Sequence, residues 1–208
     1  MSKVRWGIIG PGSIANNFAD ALISCYSGEL KGIASRSEER LKNFGNKYNI
    51  NESFRFSNYD DLLNSEDIDA VYISTPHTFH ADLTIKAAGK GKHILCEKPA
   101  AVNFKEGQRV IEAVQQAGVF YKEGFMYRCH PQIPGLIKLI KEKKIGKIQR
   151  IISSFGFDMG KTVPESRLFQ KELAGGAILD VGLYPVSFSR MIAGLANGKN
   201  FINPKNVT

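Results

Sequence analysis

The chain has 208 residues, 43% of them apolar, enough for one large domain or two small ones with packed cores. Net charge is +8, from 28 basic and 20 acidic residues, which suits a partner carrying several phosphates. Cys25, Cys96 and Cys129 are too few and too widely spaced for a disulfide framework or a metal motif, and fit reduced thiols. There is no charged-then-apolar leader, and no continuous apolar run approaches the about 20 residues that span a bilayer, so a soluble cytoplasmic protein without membrane contact is expected.

Val4, Trp6, Ile8 and Ile9 make a short apolar run that predicts a buried strand. Gly10-Pro-Gly12-Ser13-Ile14-Ala15 follows it directly and opens a helical pattern with Ile14, Phe18, Leu22 and Ile23 at 3–4 spacing. In that context G-x-G-x-x-A is a dinucleotide-binding turn. Gly10 permits the tight turn and Gly12 the approach of a pyrophosphate. Ala15 permits close helix packing, while the helix N-terminus offers its dipole to the phosphates. A tight strand–helix turn with no nucleotide is the plainer alternative.

Leu30 to Ala34 predicts a second strand, ending in Ser35-Arg36-Ser37 where such folds read the adenosine ribose. An acidic residue there would favour NAD. A hydroxyl and a guanidinium suit a 2′-phosphate, so NADP is expected, with NAD possible. Ser35 and Ser37 would otherwise cap the helix that Glu38 and Glu39 favour, leaving Arg36 solvated. That helix carries Leu41 and Phe44. A short strand near Phe54 to Phe56 and an Asn58–Asp61 cap before Leu62 and Leu63 come next.

Ala70 to Ile73 predicts a strand that stops at Ser74-Thr75-Pro76. His77 and His80 lie just past it, with no third ligand for a metal; His80 reads as a helix start or cofactor neighbour. Further expectations are a helix from His80 to Gly89, a strand from His93 to Cys96 and Glu97-Lys98-Pro99 at its end. An Asn103–Glu106 cap then precedes the stripe Gly107, Val110, Ile111, Val114 and Ala117, and Val119 to Tyr121 is a sixth strand. This alternation gives an α/β fold: a Rossmann-type, doubly wound parallel sheet over residues 1–123.

Residues 124–208 break the alternation. A helix from Pro131 to Lys143 shows Ile133, Leu136, Ile137 and Ile140 on one face. Its basic residues, with Lys144, Lys147 and Arg150 beyond, read as a solvated face; a nucleic-acid patch has no supporting motif. Ile148 to Phe157 predicts a strand that begins a second sheet. A loop from Asp158 to Leu173 follows, then a helix from Ala177 to Leu195 broken by Gly182 and Pro185. Pro204 to Val207 reads as the entry to another strand. Lys98, at the end of a parallel strand, lies where a nicotinamide would sit, or is a surface lysine. Tyr184, four residues after Asp180, is a proton-transfer group or a packed aromatic.

GIIGPGSIA, Ser35-Arg36, Thr75-Pro76 with His80, Cys96-Glu97-Lys98-Pro99, Gly124 to Pro131 and GGAILDVGLYP together resemble the Gfo/Idh/MocA family of oxidoreductases from Val4 to about Val207. The resemblance is nearest its dihydrodiol, glucose–fructose and xylose dehydrogenases. It implies hydride transfer between NADP(H) and a hydroxyl or carbonyl carbon of a sugar or cyclic diol. Lys98 would stabilise charge on the reacting oxygen, preceding a cis peptide to Pro99. Tyr184 would be the acid–base group and Asp180 would fix the substrate. A phenol of pKa about 10 needs a neighbouring cation for that role near neutral pH. Gly10, Gly12, Ser13, Ile14, Ser35, Arg36, Thr75, Pro76, His80, Glu97 and Lys98 would contact the cofactor. Arg128, His130 and Arg167 would contact the substrate, with no metal.

The family's second domain is a mostly antiparallel sheet that often forms an oligomer interface, and this chain carries only its start. Homo-oligomers are therefore expected of the full-length form. For the chain as it stands, exposed apolar surface on Ile148 to Phe157, weak stability and little turnover are expected. A non-catalytic NADP-binding or sensing module, or an inactive fragment of such an enzyme, is the alternative function.

Overall fold

The apolar runs of the N-terminal half form one parallel sheet in a computed structural model that describes residues 2–158, 160, 163 and 165–207. Its strands are β1 (Val4–Ile9), β2 (Gly28–Ala34), β3 (Arg55–Phe56), β4 (Ala70–Ile73), β5 (His93–Cys96) and β6 (Tyr121–Glu123), in the order β3-β2-β1-β4-β5-β6. Parallel neighbours need crossovers. These are α1 (Ser13–Ile23), α2 (Glu38–Lys47), α3 (Tyr59–Asn64), α4 (His80–Gly89) and α5 (Phe104–Ala117). Side chains alternate across each strand, so both faces are buried. Ile8, Ile33 and Tyr72 join one core with Ala15, Ala19, Leu41 and Phe44. Ile9, Ala34, Val71 and Ile73 join the other with Leu62, Leu63, Ala87 and Val110.

The expected caps form. Ser37 Oγ accepts from the Arg40 N–H at 3.4 Å, Asn58 Oδ1 from Asp61 at 2.8 Å and Asn103 Oδ1 from Glu106 at 3.0 Å. Three apolar positions differ from expectation: Ile14, Ile23 and Ile111 are 41%, 75% and 46% exposed. The first helix instead buries Ala15 and Ala19, small side chains that let its axis lie close to the sheet, with Leu22 completing the stripe. The third strand is one residue shorter than expected because a 3-10 turn, Glu52–Phe54, takes Phe54. The sixth begins at Tyr121, after Gly118 ends α5 in the left-handed region at φ +65°.

Phe125–Thr208 is a second compact unit, after Met1–Gly124. Its core joins α6 (Gln132–Lys141) to α7 (Leu183–Ala196) through Ile140, Met191, Ile192 and Leu195. Ile148 to Phe157 is not a strand, correcting the expected start of a second sheet. A strand needs a hydrogen-bonded neighbour, and none pairs with it among the described residues. Ile148 and Ile151 pack on the helices, while Ile152, Phe155 and Phe157 are 85%, 50% and 60% exposed. Residues 204–207 form no strand either. Of the loop expected over 158–173, residues 159, 161, 162 and 164 lie outside the described residues. Pro185 does not break the last helix. It sits in the first turn of α7, where a missing N–H is tolerated, after a wide π turn at Ile178–Gly182.

Lys171–Ala196 is long and apolar enough to cross a membrane by length and composition, with an 18-residue stretch of mean hydropathy 1.2. A count of uninterrupted apolar residues misses it because small and polar residues punctuate the segment. Its backbone is interrupted at Ala174 (φ +55°) and Gly176 (φ +109°). The regular helix α7 is about 21 Å long, against about 30 Å of hydrocarbon.

Arg5, at the start of β1, is forked onto Asp69, just before β4, through Nε at 3.0 Å and Nη2 at 2.7 Å; the Arg5 N–H adds a third bond at 2.8 Å. The guanidinium holds the Asp69 carboxyl below the usual carboxylate range. Because the folded value lies below the unfolded one, this stabilisation is present above the ordinary range and lost as pH falls through the folded value. Thermal unfolding of Asp69→Asn between about pH 2 and about pH 6 should show a shallower acid limb than the parent. Parallel limbs would show that the pair contributes no pH dependence.

Candidate functional site

The strand ends at one edge of the sheet carry most of the singled-out residues of Met1–Gly124. The hydrogen-bond ladder runs one residue beyond each strand there. Gly10 N–H donates to Ala34 at 3.1 Å, Ser74 N–H to Ile9 at 3.0 Å and Glu97 N–H to Ile73 at 2.9 Å. Ser74 Oγ also donates to the Gly10 carbonyl at 2.8 Å, joining the turn after β1 to that after β4.

Gly10 takes φ +93°, and a Cβ on it would meet Thr75 Cγ2 at 3.0 Å. Space over Gly12 is open, a Cβ there reaching only the Ser74 carbonyl at 4.0 Å. Helix α1 starts at Ser13 with no side-chain cap, so the first-turn N–H groups of Ser13 and Ile14 lack intrahelical acceptors. Thr75 Oγ1 is buried without a hydrogen-bond partner. A helix end with open amides, an unobstructed glycine and an orphaned hydroxyl fit the phosphates and polar groups of a dinucleotide.

After β2 the two ribose candidates separate. Ser35 is 4% exposed, and its Oγ accepts from the Ser37 N–H at 3.1 Å, shaping the turn into α2. Arg36 is exposed, its guanidinium carbon 4.9 Å from the Phe79 ring centre and 5.8 Å from that of Tyr59. The two rings hold the cation by cation–π attraction and leave its fork to solvent.

The loop after β5 carries Lys98 and a cis Lys98–Pro99 peptide. Three contacts pin it. Tyr72 donates to Glu97 Oε1 at 2.6 Å, the His80 ring reaches the Pro99 carbonyl at 2.8 Å, and the Ala100 N–H donates to Glu123 Oε1 at 2.8 Å. Burial, with the Glu97 bond behind it, raises the Tyr72 phenol well above its usual value, so it stays a neutral donor. Burial also pushes the Cys96 thiol up to about 12, which leaves it inert. Tyr72 and Glu123 were not singled out in the sequence. Tyr72 left a signal: it is the one polar tip in the buried run Ala70–Ile73, and a buried phenol needs a partner.

In the second unit Tyr184 sits edge-on to Phe155, Phe125 and Tyr127, with ring centres at 5.3, 5.7 and 6.1 Å. A cleft of about 270 Å³ beside it is lined mainly by Met126, Tyr127, Phe155, Tyr184, Pro185 and Phe188. Asp180 faces Arg167 at 3.7 Å. Arg128 and Tyr127 both bind the Ser187 hydroxyl at 2.9 Å. His130 is exposed, and its Nδ1 accepts from the Gln132 N–H at 3.2 Å, at the start of α6. Neither Arg128 nor His130 lines the cleft.

The Oxidoreductase family, NAD-binding Rossmann fold, matches residues 4–125, and the GFO/IDH/MocA C-terminal domain matches residues 136–197. The chain belongs to the Gfo/Idh/MocA family of oxidoreductases. It is 36% identical over 190 residues to the trans-1,2-dihydrobenzene-1,2-diol dehydrogenase of Xenopus tropicalis, covering 90% of this chain and 56% of that protein. The crystal structure of aldose-aldose oxidoreductase from Caulobacter crescentus, complexed with glycerol, superposes at TM-score 0.85 with 30% identity, over 92% of this chain and 58% of that one. A 3-ketoreductase from Actinomadura kijaniata, in complex with NADP and TDP-benzene, superposes at 0.83 with 31% identity over 93% and 58%. The chain thus spans little more than half the length of each.

Because a Cβ on Gly12 meets nothing nearer than the Ser74 carbonyl at 4.0 Å, Gly12→Ala should leave the melting temperature unchanged while weakening dinucleotide binding by about tenfold or more. Unchanged binding in a fluorescence titration would remove that turn from the site.

Proposed function

We propose that the protein is an NADP(H)-dependent oxidoreductase that moves a hydride between the cofactor and a hydroxyl or carbonyl carbon of a sugar or cyclic diol. The observation that carries this is the thrice-pinned loop holding Lys98, on the same sheet edge as the glycine turn. A binding or sensing module has no use for a lysine held that way. When bound, the nicotinamide supplies or accepts the hydride.

The chain's own residues position the reactants and move the proton. Gly10, Gly12 and the amides of Ser13 and Ile14 take the pyrophosphate, Arg36 takes the ribose 2′-phosphate, and Thr75, Pro76 and Glu97 border the nicotinamide. Lys98 donates to the reacting oxygen and stabilises charge there. Tyr184 receives the hydroxyl proton in oxidation and returns it in reduction, while Asp180, braced by Arg167, binds a neighbouring substrate hydroxyl. The dehydrogenase and reductase names of the relatives support this reading.

Titration with NADPH and NADH, followed by fluorescence, tests the cofactor first. NADPH should bind at least about tenfold tighter, and Arg36→Glu should abolish that preference. Equal binding by the parent would remove the assignment of NADP and keep the fold. Lys98→Ala and Tyr184→Phe should each slow turnover of aldoses or cyclic diols by about 100-fold or more, with NADPH binding retained. Turnover unchanged in both variants would remove the proposed chemistry.

A further inference from the structure

His80 is fully buried at the start of α4, and its two ring nitrogens face two different turns. Nε2 lies 2.7 Å from the carbonyl of Thr75, at the end of β4, and Nδ1 lies 2.8 Å from the carbonyl of Pro99, one residue past Lys98. Both partners are carbonyl oxygens and can only accept, so the ring donates to both only with a proton on each nitrogen. A side chain with no exposed surface touches no ligand directly. Its effect runs through the backbone it binds.

We propose that His80 is a positioning residue that fastens the Thr75 turn to the Lys98–Pro99 turn, so that the cofactor-binding backbone and the reactive lysine are set as one rigid unit. The functional half of this statement rests on the oxidoreductase reading above. The sheet alone joins these turns through the β4–β5 ladder, which stops at the Glu97 N–H to Ile73 bond. Beyond that point Tyr72 holds Glu97 and Glu123 holds Ala100, both on the lysine loop. His80 binds both the lysine loop and the turn after β4.

Two amide variants separate the two contacts. The Asn side chain places a donor near the position of Nδ1, and the Gln side chain places one near Nε2. His80→Asn should therefore keep the Pro99 contact and lose that to Thr75, and His80→Gln should do the reverse. Amide hydrogen exchange on the chain without cofactor reads this directly. His80→Gln should speed exchange at Lys98 and Ala100 and spare Thr75 and His77, and His80→Asn should invert the pattern. In parallel, His80→Gln should lower kcat by about tenfold with the NADPH Kd little changed, and His80→Asn should raise that Kd about tenfold with kcat at saturation largely kept.

A residue that merely stabilises the fold would move both turns, Kd and kcat together in both variants, and that result overturns the proposal. So does unchanged exchange in both. If exchange splits as expected but the parent neither binds NADPH nor turns over, the tie between the turns stands and the oxidoreductase reading fails instead.

Discussion

Past the last residue of β1, β2, β4, β5 and β6, one more backbone N–H still finds the carbonyl of its neighbour: Gly10 to Ala34, Ser35 to Phe56, Ser74 to Ile9, Glu97 to Ile73 and Gly124 to Cys96. These bonds set five turns level along one edge. Parallel pairing requires every chain crossing to leave from that edge, so the glycine turn, Arg36, Thr75 and Lys98 need no long-range device to share it. What the ladder does not set is the orientation of each turn. Side chains from inside the fold set that: Ser74 under Gly10, the Phe79 and Tyr59 rings around Arg36, and Tyr72, His80 and Glu123 around the lysine loop.

The second unit solves a different problem. Asp180 and Tyr184 lie on a π turn and the helix that continues from it, and their surroundings differ in kind. Three aromatic rings meet the half-buried Tyr184 ring edge-on. Asp180 keeps a cation opposite it. The apolar wall of the cleft suits the carbon face of the sugars and diols proposed.

Much of the first unit was legible because local and tertiary preferences agree there. Residues 70–73, 80–89 and 93–96 form the elements their patterning predicts. Asn58 and Asn103 cap the helices that follow them, since a cap needs only neighbours in sequence. Legibility failed where the deciding partner is distant. Ile14 and Ile111 satisfy the helical period yet face solvent, because packing on the sheet selected the smaller stripe. Ile148 to Phe157 has strand chemistry without a paired neighbour. The pocket candidates divided likewise: Tyr184 lines the cleft, whereas Arg128 and His130 are spent on Ser187 and Gln132. The restraints on the loop carrying Lys98 come from as far away as Tyr72, 25 positions before the Glu97 it binds, a coupling that no local period displays.

The bond from Ala100 to Glu123 spans 23 residues in the direction of synthesis. As the chain leaves the ribosome, β1, β2 and β4 can assemble and close the glycine turn against Ser74 before α5 has been made. The lysine loop gains its third restraint only with β6, whose Glu123 is followed at once by the end of the unit at Gly124. Tyr72 and His80 precede the lysine loop in the chain and Glu123 follows it, so the loop is held from both sides of its own position in synthesis.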